Sequence, residues 1–168
     1  MSEKNALIKA GQTAVRLSEM VAAPISSLLD DSVRDNSYLL GFPVDTPEGK
    51  AMLFAMESDG TEKVEDYRDK PFPLIAWGCK RVPLYDDQSR EYVPVIRTVL
   101  IGTGGITLAV VSDGIAASLD LIRALYGDGP FQPALSVIIK EARTRRGHRL
   151  YKLIPEGVIP TTSTRRSR

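Results

Sequence analysis

From Phe72 onward the chain alternates apolar and polar positions, breaks once into helical spacing, and then alternates again. Phe72 to Val82 reads as a strand with Ile75, Trp77 and Cys79 on one face. Leu84 to Glu91 is a charged loop holding Asp86 and Asp87. Val93 to Ile101 is an apolar strand, and Gly102-Thr-Gly-Gly105 turns it straight into Ile106 to Val111, a hairpin. Ser112-Asp113 reads as a helix N-cap, and Ile115, Leu119, Ile122 and Leu125 follow at helical spacing until Gly127 stops the run. Pro130 and Pro133 punctuate a loop, Leu135 to Ala142 is a further apolar run, and Arg149 to Ile154 returns as the last strand.

Before this block the pattern is weaker. Leu7, Ile8, Val15, Leu17, Met20 and Val21 predict a helix within residues 1 to 30, interrupted by Gly11 and ended near Pro24. Residues 31 to 50, with Asp, Asn, Gly and Pro, read as a loop or linker, and Met52 to Glu57 reads as a short strand. Three parts are therefore expected: a helical extension and linker over 1–50, a folded domain over 51–155, and a tail over 156–168. Thr161 to Arg168 has no apolar residue and is expected to lack a fold. The order β-β-β-α-β-β from Phe72 predicts a mainly β fold of the oligonucleotide/oligosaccharide-binding (OB-fold-like) barrel type, with an N-terminal helical extension. Another small α+β fold with an antiparallel sheet is the runner-up.

Composition narrows this little, since 43% hydrophobic and 26% charged residues over 168 positions suit one ordinary globular domain with extensions. No apolar run is long enough to span a bilayer, and Met1 to Gln12 lacks a signal-like apolar core, so a cytoplasmic location without membrane contact is expected. Cys79 is the single cysteine and His148 the single histidine, which leaves no intrachain disulfide and no cysteine-based zinc site, and a metal site would need carboxylates alone. Charge changes the picture more. Lys140 to Arg168 holds nine Lys/Arg against two Glu, a local +7, so a total of +1 leaves −6 on residues 1 to 139. Such segregation suggests an end that faces a polyanion.

Candidate chemistry is sparse. Gly102 to Gly105 lacks the Lys-Ser/Thr ending and following helix of a phosphate loop. Asp86, Asp87, Glu62, Glu65 and Asp66 have no base or nucleophile beside them, so they read as solvated loop charge. No catalytic group, cofactor or small-molecule substrate is expected, and the chain does not read as an enzyme. The basic turn differs: Arg143, Arg145, Arg146 and Arg149 lie within seven residues, flanked by Lys140 and Lys152. Arginine forks bind phosphates and stack on bases. Alternation puts Tyr151 on the face of Arg149, and Trp77, Arg81 and Arg97 fall at like parity on two earlier strands. A core role and a stacking role for Trp77 both stay open.

The block also resembles the small single-stranded-DNA-binding proteins of bacteriophages and related mobile elements. The resemblance covers roughly residues 72 to 154 and rests on Val111-Ser-Asp-Gly-Ile115, Ser118-Leu119, Ile122, Tyr126-Gly127, Pro130, Pro133, Val137, Lys140 and Arg143-Thr-Arg-Arg-Gly147, with Leu150 and Leu153. It implies an OB-type module that coats and protects single-stranded DNA without sequence preference during replication, recombination or transfer. The nucleic-acid contacts expected are Trp77, Arg81, Arg97, Lys140, Arg143, Arg145, Arg146, Arg149 and Tyr151. RNA remains an alternative ligand, and the N-terminal helix a route to homo-oligomers. The C-terminus is basic, whereas bacterial single-strand binders end in an acidic tip. A competing expectation is a protein–protein or regulatory module that uses the N-terminal helix and the acidic 57–70 segment without touching DNA.

Overall fold

A computed structural model of the chain describes residues 38–157. The helix expected within residues 1 to 30, with its role in self-association, and the tail from residue 158 lie outside the described residues. The elements are β1 (Tyr38–Leu40), α1 (Pro47–Met56), β2 (Pro71–Asp86), β3 (Glu91–Gly102), β4 (Thr107–Val111), α2 (Asp113–Tyr126), β5 (Leu135–Arg143) and β6 (Arg149–Pro155). Short 3-10 turns at Val64–Tyr67 and Thr103–Gly105 join them. The protein is mainly β. The strands make one antiparallel six-stranded sheet with the path β4-β3-β2-β5-β6, and β1 pairs with β2 off that path.

The sheet has two covered faces. On one side α2 buries Ile115, Ala116, Leu119 and Ile122 against Phe72, Leu74, Trp77, Leu100, Leu108, Val137, Ile139 and Leu153. Each fully buried large side chain of this set contributes roughly 1.5–3 kcal/mol of transfer free energy. On the other side Met56 of α1, with Tyr38 and Phe42, covers Ala76, Val99 and Ile101. Strand alternation explains the division, because Trp77 and Cys79 point to the first core while Ala76 points to the second.

Helix α1 corrects the expectation of a strand at Met52–Glu57 and a plain linker before it. A short apolar run such as Met52-Leu-Phe-Ala-Met56 suits either element, and its start signal decides. Thr46 is the N-cap and accepts from Gly49 N at 3.0 Å, Pro47 opens the helix, and Glu48 lies in the first turn. The second correction concerns the charged loop at Leu84–Glu91. Strand β2 runs on to Asp86 and β3 starts at Glu91, so only a tight turn separates them.

The last strand is held in an unexpected way. Ser112 stands at the N-cap position of α2, yet its hydroxyl makes no cap bond. It donates to Tyr151 O at 3.2 Å and accepts from Tyr151 N at 3.3 Å. Ser118 accepts from Leu153 N at 3.1 Å. Two helix serines thus satisfy the outer edge of β6 and tie it to the end of β4. The close approach needs Gly114, since a Cβ there would meet Tyr151 O at 2.3 Å.

Candidate nucleic-acid interface

The basic turn is a hairpin between β5 and β6, with Arg143 opposite Arg149. Thr144 closes it: its amide donates to His148 O at 2.9 Å, its carbonyl accepts from Gly147 N at 2.9 Å, and its hydroxyl accepts from His148 N at 3.1 Å. Gly147 takes φ +82, a left-handed conformation that a side chain would strain. Arg145 and Arg146 therefore occupy the middle of the turn, where both are exposed. Among the described residues, Arg143, Arg145 and Arg146 make no ion pair.

Carboxylates tie the base of this hairpin. Arg143 and Arg149 are like charges directly across the ladder, an unfavourable pairing on its own. Glu141, one step down the same face, relieves it by accepting from Arg149 Nε at 3.0 Å through Oε1. Its other oxygen accepts from Arg68 Nη1 at 2.9 Å. The hydrogen bond from Arg68, with the charges of Arg149, Arg68 and Arg143, holds the Glu141 carboxyl below its ordinary value. Beside it Lys140 pairs with Asp69 at 2.6 Å, and that bond lowers the Asp69 carboxyl as well.

The other proposed contacts divide. Trp77 is 1% exposed, and its indole N–H donates to Asp128 O at 3.0 Å, so the structure places the ring in the core. Tyr151 does share the face of Arg149, but that face dives into the core, leaving Tyr151 8% exposed. Its hydroxyl sits 3.5 Å from Glu65. Arg97 does not share a face with Trp77 and Arg81. The register pairs Trp77 with Leu100 and Lys80 with Arg97, so odd numbers on β2 meet even numbers on β3. Arg97 instead caps α1, donating to Met56 O at 2.6 Å and to Ser58 O. Arg81 is half-buried on the face of Trp77 and Cys79.

Sequence reasoning missed three residues. Arg68 reaches the hairpin from the segment before β2 because Asp69 N donates to Ile139 O at 2.9 Å, laying that segment along β5. No local pattern announces this. Tyr85 and Tyr92 lie at the far end of the β2–β3 ribbon, 49% and 72% exposed, with ring centroids 5.3 Å apart edge to face. Their signal was the alternation through Leu84 and Tyr85 toward Asp86, masked by the acidic pair. Among the described residues, pairing of β1 ends at Lys80 and that of β4 at Arg97, and Val82–Asp86 and Glu91–Val95 pair with each other. Pro83 faces Pro94 across this ribbon. Proline has no N–H, so these nitrogens belong to a non-hydrogen-bonded pair, and both ribbon edges lack a donor there.

An open cavity of about 200 Å³ lies apart from both hairpins, lined by Tyr38, Leu53, Phe54 and Glu57. Its one carboxylate, Glu57, pairs with Lys80 at 3.2 Å. Among the described residues no group of three His, Cys, Asp or Glu is placed to hold a metal ion, and no helix is long and apolar enough to cross a membrane. Compared with known proteins, the chain matches no family model, no curated protein and no solved structure.

Proposed function

We propose that the chain binds single-stranded DNA without sequence preference, on an OB-type scaffold, and that the β5–β6 hairpin is its main contact. The observation that carries this reading is the hairpin tip, where Arg143, Arg145 and Arg146 are exposed and without ion pairs among the described residues. Guanidinium groups in that state are ready partners for backbone phosphates. The strand path supports the scaffold. Five strands from Pro71 onward follow the order β4-β3-β2-β5-β6, with a helix between the third and fourth of them in sequence. Ser112, directly after β4, bonds to Tyr151 of β6 and so bridges the two ends of that path. On this reading the protein covers exposed strands during replication, recombination or transfer, and chemistry is left to other proteins.

The test is binding to a labelled oligo(dT) against a blunt duplex of equal length across a salt series. Tighter binding to the single strand, weakening steeply with salt, is the expected result. Equal affinity for both forms removes the single-strand claim. An oligo(rU) arm reads the preference between DNA and RNA.

The ribbon favours a second reading. Tyr85, Tyr92 and Leu84 are exposed there, and its tip carries Asp86, Asp87 and Glu91 against Arg90. An aromatic arm with an acidic tip suits a protein surface better than a polyanion. This makes the chain a module of a larger replication or assembly complex. Absence of any gel shift with DNA and RNA at low salt is the result that selects it.

A further inference from the structure

We infer that Arg68 is a phosphate ligand of the same interface, held in place by Glu141 although the two lie 73 positions apart. The inference rests on the nucleic-acid reading and adds to it a residue outside the basic turn. The guanidinium groups of Arg68 and Arg149 hold one carboxylate, and Arg143 stands across the ladder from Arg149, a local charge of +2. Both carboxylate oxygens are engaged, one by each of two arginines. Arg68 spends Nη1 on this contact and Arg149 spends Nε. A guanidinium has five N–H donors, so most of each fork remains available. The Arg68 and Arg149 side chains are 46% and 57% exposed, whereas Glu141 is 20% exposed beneath them. The cations thus face solvent and the anion lies below. A phosphodiester oxygen approaching from outside meets forks that Glu141 has already oriented, with positive charge in excess.

A purely structural role is the competing account. In it Arg68–Glu141 only ties the segment before β2 to the hairpin. The two accounts differ in sign. For a structural tie, removing either partner has the same consequence. For a phosphate site, Arg68 attracts the ligand and Glu141 repels it, so the two substitutions act in opposite directions.

The experiment uses the full chain, a labelled oligo(dT), and an abasic deoxyribose-phosphate strand of the same length. Arg68→Gln is expected to weaken binding about fivefold at 0.1 M salt and to reduce the slope of log K against log salt by about 0.7, equally on both strands. Arg68→Lys keeps the charge and restores the slope. Glu141→Gln keeps a side-chain oxygen that can accept from Arg68 and so orient it, but removes the negative charge, and is expected to tighten binding roughly threefold, the effect of removing one unit charge about 6 Å from the ligand in a water-like medium. Thermal melts of all three variants report folding. Both glutamine variants moving affinity the same way overturns the inference, as does an unchanged slope in Arg68→Gln while the wild-type chain binds. Failure of the wild-type chain to bind either strand at low salt removes the parent reading and this one with it.

Discussion

Two hairpins leave the same sheet, and they are built from opposite materials. The β2–β3 ribbon carries exposed rings and an acidic turn, while the β5–β6 hairpin carries arginines at a glycine turn. Their roots differ too. The ribbon grows out of the core through Trp77, Cys79 and Ile96. The basic hairpin is tied at its base by Arg68–Glu141–Arg149 and Lys140–Asp69. An apolar root gains from burial and is not weakened by charge screening, whereas exposed ion pairs add little and are screened. Exposed rings and exposed arginines, the two materials that single-strand binding usually combines, therefore sit on separate arms. The phosphate half has a charge distribution that fits a nucleic acid. The aromatic half, with its acidic tip, does not share that fit.

The largest effect tests the root of the ribbon. Trp77→Ala should cost about 3–5 kcal/mol, seen as a large drop in the urea midpoint, because a fully buried ring leaves a cavity. As a buried fluorophore, Trp77 should show no collisional quenching by acrylamide in the folded protein, with or without oligonucleotide. Strong quenching in the free protein that bound DNA suppresses would return the ring to the ligand. Next comes the basic tip. Replacing Arg143, Arg145 and Arg146 by Ala should lower oligo(dT) affinity about 100-fold at 0.1 M salt and cut the salt slope by about 2, with the melting temperature unchanged. Unchanged affinity would move the site off this hairpin.

The ribbon comes third. Replacing Tyr85 and Tyr92 together by Ala removes one edge-to-face pair and should cost about 0.5–1.5 kcal/mol. If the arms are as separate as their charges suggest, the salt slope for oligo(dT) stays as it was. Loss of the advantage of oligo(dT) over an abasic strand would instead join the arms into one groove.

Much of this frame could be read from the chain alone. The order of elements from Phe72 and the arginine turn come from alternation and from local charge, which are short-range signals. What failed depended on register or on distant segments. Trp77, Arg81 and Arg97 share parity in number, but the turn after Asp86 pairs odd with even and sends Arg97 to the other face. Tyr151 was placed on the right face, yet depth along β6 decides exposure, and it falls below the rim. Ser112 has the sequence of a cap and spends its hydroxyl on β6, a contact 39 positions away. Arg68 joins the hairpin only through the path of its segment along β5.

The smallest effect separates the two roots by pH. Arg68 holds Glu141, and Lys140 holds Asp69, below their ordinary values in the folded chain. A carboxyl whose value is depressed by folding binds protons more readily when unfolded. Its stabilising contribution is therefore present above the ordinary carboxylate value, about pH 4, and fades as pH falls through the lower folded value. Asp69 is open to solvent and Glu141 is only partly covered, so the change should be modest and should shrink in high salt. The ribbon's root is held mainly by buried apolar side chains, with Lys80–Glu57 beside it, and acid should disturb that root less. Amide exchange, corrected for its intrinsic pH dependence, should then show β5–β6 opening more often at pH 3 than at pH 6, while Trp77 to Cys79 keeps its protection. Glu141→Gln combined with Asp69→Asn should flatten the difference. Equal loss of protection at both roots would mean that the hairpins open together, and that the separation of an apolar arm from a charged one does not extend to their stability.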